Sequence, residues 1–251
     1  MKTTNSNILH CTICEGENLI TIGNIYYTSP AYNTHSTLIQ CNNCGKGWIH
    51  PYPDESKIGN IYGEAYHYNI NKLRDYLYSL YLQKHLKKDY ELVTKFKKRG
   101  KVLDIGAGRG DLLKLFDSSN WQKWAFDPYL SQLDVKKLKE KIGSHVNDFD
   151  SLKEYPENEF DVVVLRNVIE HTNSYKSFLV IANKLLKPKG VLFIRTPNLR
   201  SVDFKLFGSN WYVVTMNGHL VFFTKQSLSV LLKETKYIPK YLEAPKGSSL
   251  L

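Results

Sequence analysis

The stretch Lys101-Val-Leu-Asp104-Ile-Gly106-Ala-Gly108-Arg-Gly110-Asp111 constrains this chain more than any other. Val102 to Ile105 reads as a short buried strand. Gly106, Gly108 and Gly110 read as the turn that follows, and Asp111 to Phe116 as the start of a helix. Glycines in such a turn adopt positive φ and let the backbone approach a ligand closely. The spacing is G-x-G-x-G, with Asp111 where a dinucleotide fingerprint places its third glycine. No G-K-[ST] follows, so the turn is not a phosphate-cradling P-loop.

The next segments repeat the alternation. Trp121 to Asp127 reads as a second strand ending in an acid, and His145 to Phe149 as a third strand with its exit. Phe160 to Leu165 is a continuous apolar run, as a central parallel strand requires. Tyr175 to Lys187 reads as a helix stopped at Lys187-Pro-Lys-Gly190, and Val191 to Ile194 as a fifth strand. Strands and helices alternating in this way make a doubly wound α/β sheet. Asp127 lies 21 residues after Gly106. There it is placed to accept the ribose hydroxyls of a nucleoside; the other reading is a helix cap before Pro128. Further on, Thr224 caps a helix and Tyr237 to Leu242 reads as a last strand.

The four cysteines form two C-x2-C pairs, Cys11/Cys14 and Cys41/Cys44, with 26 residues between the pairs. Four thiolates held this way suit a closed, tetrahedral, structural zinc site. Disulfides are disfavoured without a secretion signal, and a redox pair would sit at a strand-to-helix junction. Asn18 to Ile39 alternates like a β-hairpin, so residues 8–50 read as a zinc ribbon in which metal supplies what burial cannot. The expected domains are the ribbon at 1–53, a Tyr-rich connector with a basic amphipathic helix at 54–100, and the α/β domain at 101–251.

The helix of the connector is expected from Leu73 to about Phe96, its apolar side formed by Leu73, Leu77, Leu80, Tyr81, Tyr90, Val93 and Phe96. Lys84, Lys87, Lys88, Lys95, Lys97, Lys98 and Arg99 form the other side. A basic stripe is either a solvated face or a nucleic-acid contact. The net charge of +10 over 251 residues suits nucleic acid, an anionic surface or an anionic small molecule. No apolar run is long enough for a membrane helix, and Met1 to Asn7 carries no signal-peptide stretch, so a cytoplasmic location is expected. The oligomeric state is left open.

These residues together resemble the class I S-adenosylmethionine-dependent methyltransferases. The resemblance is carried by Val102 to Gly110, by Asp127, and by Phe160-Asp-Val-Val-Val-Leu-Arg166-Asn167-Val-Ile-Glu170-His171. It extends to Leu185 through Gly190 and to Thr196-Pro197-Asn198. It implies a Rossmann-like, seven-stranded sheet carrying the small zinc ribbon. It also implies cofactor roles by position. The loop of Gly106, Gly108 and Gly110 would hold the methionine part, and Asp104 would orient that loop or the amino group. Asp127 would bind the ribose, Asp148 and Phe149 would flank the adenine, and Arg166 and Asn167 would line the floor beside the sulfonium. With its ribbon, the chain is similar to small-molecule methyltransferases of surface-polysaccharide and sugar biosynthesis. The acceptor implied is a hydroxyl or phosphate-type oxygen of a sugar, nucleotide-sugar or phosphorylated metabolite, held in part by the positive charge.

An alcohol acceptor needs a general base. His219 and His171 are the candidates, with His67 behind them; the other role open to each is to brace a loop. His219 lies in the insertion Gly208 to Thr224, where the family builds its substrate wall. Tyr62, Tyr66 and Tyr68 either close over the site, Tyr66 then touching the reactants, or clamp the ribbon to the core. Two other functions stay open. One is an RNA methyltransferase with ribbon and basic helix as clamp, against which the ribbon shows no basic residues interleaved with aromatics. The other is a non-enzymatic scaffold, against which stand the intact glycines and Asp127.

Overall fold

The computed structural model describes residues 9–26, 35–52, 72–127, 136, 138–140, 142, 145–147, 152, 154–216 and 218–243. In chain order the strands are β1 (Leu19–Tyr26), β2 (His35–Cys41), β3 (Gly47–His50), β4 (Gly100–Ile105), β5 (Trp121–Phe126), β6 (His145–Asn147), β7 (Phe160–Arg166), β8 (Leu186–Arg195) and β9 (Val221–Phe222). The helices are α1 (Lys72–Phe96), α2 (Tyr175–Leu185), α3 (Val202–Phe207), α4 (Tyr212–Thr215) and α5 (Lys225–Glu234). None of them is long and apolar enough to cross a membrane. The chain divides into two compact units. A sheet unit comprises Glu55–Ile169 and Ser174–Thr196; a ribbon unit comprises Met1–Asp54, Glu170–Asn173 and Pro197–Leu251.

In the sheet unit, β6-β5-β4-β7-β8 pair in parallel throughout. The apolar run of β7 is buried from Val162 to Leu165, because a parallel strand with neighbours on both edges is covered on both faces. Beneath the sheet, Val102, Leu113, Phe116, Trp121, Val162 and Val164 form one cluster with Leu86 and Val93 of α1. Phe116 stands edge-on to both Tyr90 and Trp121, each at 5.0 Å between ring centroids.

Three expectations are corrected here. Five strands, not seven, form the sheet among the described residues. After β8 the chain enters the ribbon unit, and Tyr237 to Leu242 is irregular instead of a strand. Pro239 removes a ladder donor there, and Ile238 and Tyr241 lie exposed. The helix expected after the glycine turn is a single 3-10 turn, Leu113–Leu115. Asp117 ends it by accepting from the Ser119 N–H at 3.1 Å, a local turn that competes with helix continuation. In α1, Leu80, Tyr81 and Phe96 are exposed, and the buried side runs through Leu86, Asp89 and Val93. Six of the seven basic residues at 84–99 are exposed, the seventh, Lys97, half-buried.

In the ribbon unit, β1 and β2 form the expected antiparallel hairpin, from Leu19 opposite Cys41 to Tyr26 opposite His35. β3 continues the sheet, and β9 joins it from far along the chain through Gly47 opposite Phe222 and Trp48 opposite Val221. The second cysteine knuckle rests on the start of α5. The Thr224 hydroxyl donates to the Cys44 carbonyl at 3.0 Å, and Gln226 Nε2 donates to the Asn43 carbonyl at 2.9 Å. Thr224 and Ser227 also form a reciprocal capping box. The first change of unit, at Asp54/Glu55, lies one residue from the expected boundary at 53/54, and residues 197–251 cluster with the ribbon.

Candidate functional site

In the sheet, β4 has β5 on one side and β7 on the other, so successive connections leave it in opposite directions. Ligands of open α/β sheets bind at such a switch point, outside the carboxyl ends of the strands. A cleft lies there, lined by Leu82, Leu86, Asp104, Gly106, Ala107, Asp111, Leu112 and Arg166. Gly106, Gly108 and Gly110 have φ of 77°, 51° and 69°, left-handed conformations that glycine adopts without strain. A Cβ on Gly106 would also lie 2.5 Å from Val168 Cγ2. Gly108 N–H donates to Asp127 Oδ2 at 2.8 Å, so the acid at the tip of β5 pins the turn.

Asp104 is buried, and its Oδ1 has no hydrogen-bond partner among the described residues. Burial pushes its pKa up to about 7 against the pull of Arg166, with Asp127 and Asp89 adding to the rise. Arg166 Nε donates to Asp89 Oδ2 at 3.0 Å, and Arg195 binds the other oxygen of Asp89. This buried pair of contacts ties α1 to the ends of β7 and β8. Asn167 follows in the left-handed region at φ 55°, its N–H bonded to the Arg195 carbonyl at 2.8 Å. Asn tolerates that conformation better than most residues.

Of the expected cofactor residues, Asp104, Gly106 and Arg166 line the cleft. Gly108, Gly110, Asp127 and Asn167 shape the turns at the tips of β4, β5 and β7. Asp148, Phe149 and Tyr66 lie outside the described residues, as do Tyr62, His67 and Tyr68. The residues fit S-adenosylmethionine: a buried carboxylate oxygen without a donor and a glycine turn whose side-chain volume is absent suit its ammonium and its methionine chain.

Two donor clusters lie in the ribbon unit. The first is Cys11, Cys14, Cys41 and Cys44, their sulfurs within 4.8 Å of one another and unlinked by disulfides. Sγ–Sγ is 3.5 Å for Cys11–Cys44 and for Cys14–Cys41. A tetrahedron with arms of 2.3 Å has edges of about 3.8 Å, so the set fits a zinc ion. The Cys44 thiol hydrogen-bonds Cys11 and, with backbone N–H groups and Lys46 adding, lowers its pKa to about 4. Lys46 is itself buried, bonded to Thr12 Oγ1 at 2.6 Å and 4.8 Å from the Trp48 ring centre. A buried cation here offsets the net negative charge of four thiolates on a divalent ion.

The second cluster is Glu170, His171 and His219, one ligand atom of each within 4.8 Å of the others. His171 Nδ1 bonds the Gly218 carbonyl at 2.9 Å, and His219 Nδ1 bonds the Val213 carbonyl at 2.7 Å. Their ring centroids are 4.5 Å apart. Burial lowers the pKa of His219 to about 4 and that of His171 well below its usual value, so both rings are neutral at pH 7. Asp89 and Lys46 were not singled out from sequence, and Glu170 only as part of the motif that follows β7. Asp89 carried a signal: it is three residues after Leu86 and four before Val93, an acid at an apolar position of an amphipathic helix.

The parallel sheet, its switch point and the glycine turn define a nucleotide-binding-type α/β domain. The methyltransferase-domain family model matches residues 76–237, and the chain belongs to that family, with the class I S-adenosylmethionine-dependent methyltransferase fold. Among curated proteins it is 30% identical over 153 residues to a ubiquinone biosynthesis O-methyltransferase of Pelagibacter ubique, covering 57% of this chain and 61% of that one. It is 28% identical to the mitochondrial ubiquinone biosynthesis O-methyltransferase of Rattus norvegicus, over 60% of this chain and 42% of that one. The chain thus matches about half the length of these relatives. Among solved structures it is similar in fold to the 1,6-didemethyltoxoflavin N1-methyltransferase of Burkholderia thailandensis, determined with 1,6-didemethyltoxoflavin and S-adenosylhomocysteine. There the TM-score is 0.54 at 16% identity, over 85% of this chain and 87% of that one.

Proposed function

We propose that the chain transfers a methyl group from S-adenosylmethionine to a hydroxyl oxygen of a small molecule, and that its four cysteines hold a structural zinc ion. The observation that carries this reading is the buried Asp104 Oδ1, without a donor among the described residues, beside the glycine turn at the switch point of the sheet. The cofactor supplies an electrophilic methyl carbon. Asp104 accepts from the ammonium of the methionine part, the turn of Gly106, Gly108 and Gly110 admits its chain, and Asp127 accepts from the ribose. In that chemistry the acceptor oxygen would bond the methyl carbon as the C–S bond broke, the electron pair of that bond going to sulfur, and the hydroxyl proton would leave to a base. His171 and His219 are the residues proposed to handle that proton, each with Nδ1 fixed on a carbonyl and Nε2 carrying the lone pair. Oxygen as the acceptor atom is supported by the O-methyltransferase relatives. Those relatives are named for ubiquinone biosynthesis, whereas the resemblance of the ribbon pointed to sugars, so both classes of hydroxyl belong in an acceptor screen.

The test is calorimetry with S-adenosylhomocysteine. Asp104 with a pKa near 7 holds a proton below that pH. A cationic ligand group favours the carboxylate, so binding releases the proton. Affinity should rise about tenfold per pH unit up to pH 7 and level off above it. Asp104→Asn should flatten the profile and weaken binding, and Asp127→Asn should weaken it at every pH. A folded wild type that binds no S-adenosylhomocysteine overturns the reading.

A further inference from the structure

We propose that Glu170, His171 and His219 form a second metal site, for a divalent first-row transition cation of the manganese, iron or cobalt kind. Two imidazole nitrogens and one carboxylate oxygen are the donor set such ions take, with positions left open for oxygen ligands. The four cysteines, soft and closed, select differently.

The geometry is that of presented ligands. Each ring spends Nδ1 on a backbone carbonyl, at 2.9 Å from Gly218 and 2.7 Å from Val213, which leaves Nε2 as the lone-pair nitrogen of the neutral ring. Such outer bonds orient ligand histidines and fix their tautomer. Gly218 sits at φ 94°, a conformation that favours glycine, so its carbonyl reaches His171 while the next residue, His219, enters the same cluster. His171 Nε2 lies 4.0 Å from Glu170 Oε1, and one ligand atom from each of the three residues falls within 4.8 Å of the others. Around an ion with bonds of 2.0–2.1 Å, donors stand about 3.0–3.4 Å apart. The cluster closes to that by rotations of order 1 Å at the side-chain tips. Glu170 and His219 are buried, while the His171 side chain keeps 18% exposure, which gives an ion and its oxygen ligands a way in.

Three protein ligands leave room for a water or a hydroxyl. A hydroxyl bound to a divalent cation ionises far more readily than a free one. With an ion bound, both Nε2 atoms would be ligands, so the acceptor proton would leave to water and not to the histidines; this use of the ion rests on the methyltransferase reading, its binding does not.

The test uses the full chain with its ribbon loaded with zinc, titrated with Mn2+ and followed by electron paramagnetic resonance. Mn2+ is hard and a poor competitor for four thiolates. One Mn2+ per chain is expected, with spin-echo modulation from imidazole nitrogen. His171→Asn and His219→Asn keep a side-chain N–H near the Nδ1 position but remove Nε2; each should weaken Mn2+ binding at least tenfold. S-adenosylhomocysteine binding is measured on the same samples. Wild-type chain that binds no Mn2+, shows no nitrogen modulation, or binds it as well after both substitutions overturns the proposal. If cofactor binding persists in that case, the histidines only brace the loop and the methyltransferase reading stands. If cofactor binding fails while Mn2+ still binds, that reading falls and the metal site stands.

Discussion

The sheet unit and the ribbon unit hold their chains together by different means. The sheet unit buries continuous apolar strands over one aromatic cluster, and pairs the buried Asp89 with Arg166 and Arg195. The ribbon unit pairs its strands antiparallel, and its joints are polar: four cysteines, a buried lysine, a capping box and a pair of histidines tied to carbonyls. In the first, apolar area dominates, at about 25 cal/mol per Å² buried. In the second, each joint is a specific donor–acceptor match whose loss leaves a buried group unsatisfied.

The contrast is sharpest at the metal. Cys41→Ser removes one of four ligands, and structural zinc contributes on the order of 10 kcal/mol in small zinc modules. The expected result is loss of bound zinc, read by metal analysis, with loss of the cooperative melting of the ribbon unit. If Cys41→Ser melts as wild type does, the cluster is not what holds β1, β2 and β3.

In the sheet unit the corresponding test is smaller. Asp89→Ala leaves two partly buried guanidinium groups without their shared, buried carboxylate, which costs up to about 3–5 kcal/mol. For a chain of this size the melting temperature should fall by on the order of 10 °C. Asp89→Asn should recover part of that through hydrogen bonds. A loss within 1 °C for Asp89→Ala would mean that the apolar cluster alone places α1.

The same division decides what could be read from sequence. Burial of a parallel strand leaves a run such as Phe160 to Leu165, and a turn needing positive φ leaves glycines, so the sheet and its cleft were legible. The C-x2-C pairs were legible because metal spacing is local. The polar joints were not, because their partners lie far apart in the chain: Thr224 with Cys44, Trp48 with Val221, His171 with Gly218. Periodicity says which face is buried, not which segment covers it. That is why a strand was expected at Tyr237 to Leu242, and why the return of residues 197–251 to the ribbon was not foreseen. Asn167 shows a middle case, since its place in the motif was evident but its left-handed backbone was not.

The smallest expected effect tests whether polar joinery in the ribbon unit is specific. The Thr224 hydroxyl accepts from the Ser227 N–H at 3.1 Å, capping α5, and donates to the Cys44 carbonyl at 3.0 Å. Thr224→Ala removes both bonds and should cost about 1–2 kcal/mol. Thr224→Ser keeps both and should cost least. Thr224→Asp separates the two roles, because a carboxylate caps a helix well but cannot donate, and it would face the Cys44 carbonyl oxygen. If the second knuckle depends on that donation, Thr224→Asp should release zinc to a chelator faster than Thr224→Ser does, although its cap is as good. Equal release rates would reduce Thr224 to a helix cap and leave β3–β9 pairing as what joins the knuckle to the rest of its unit.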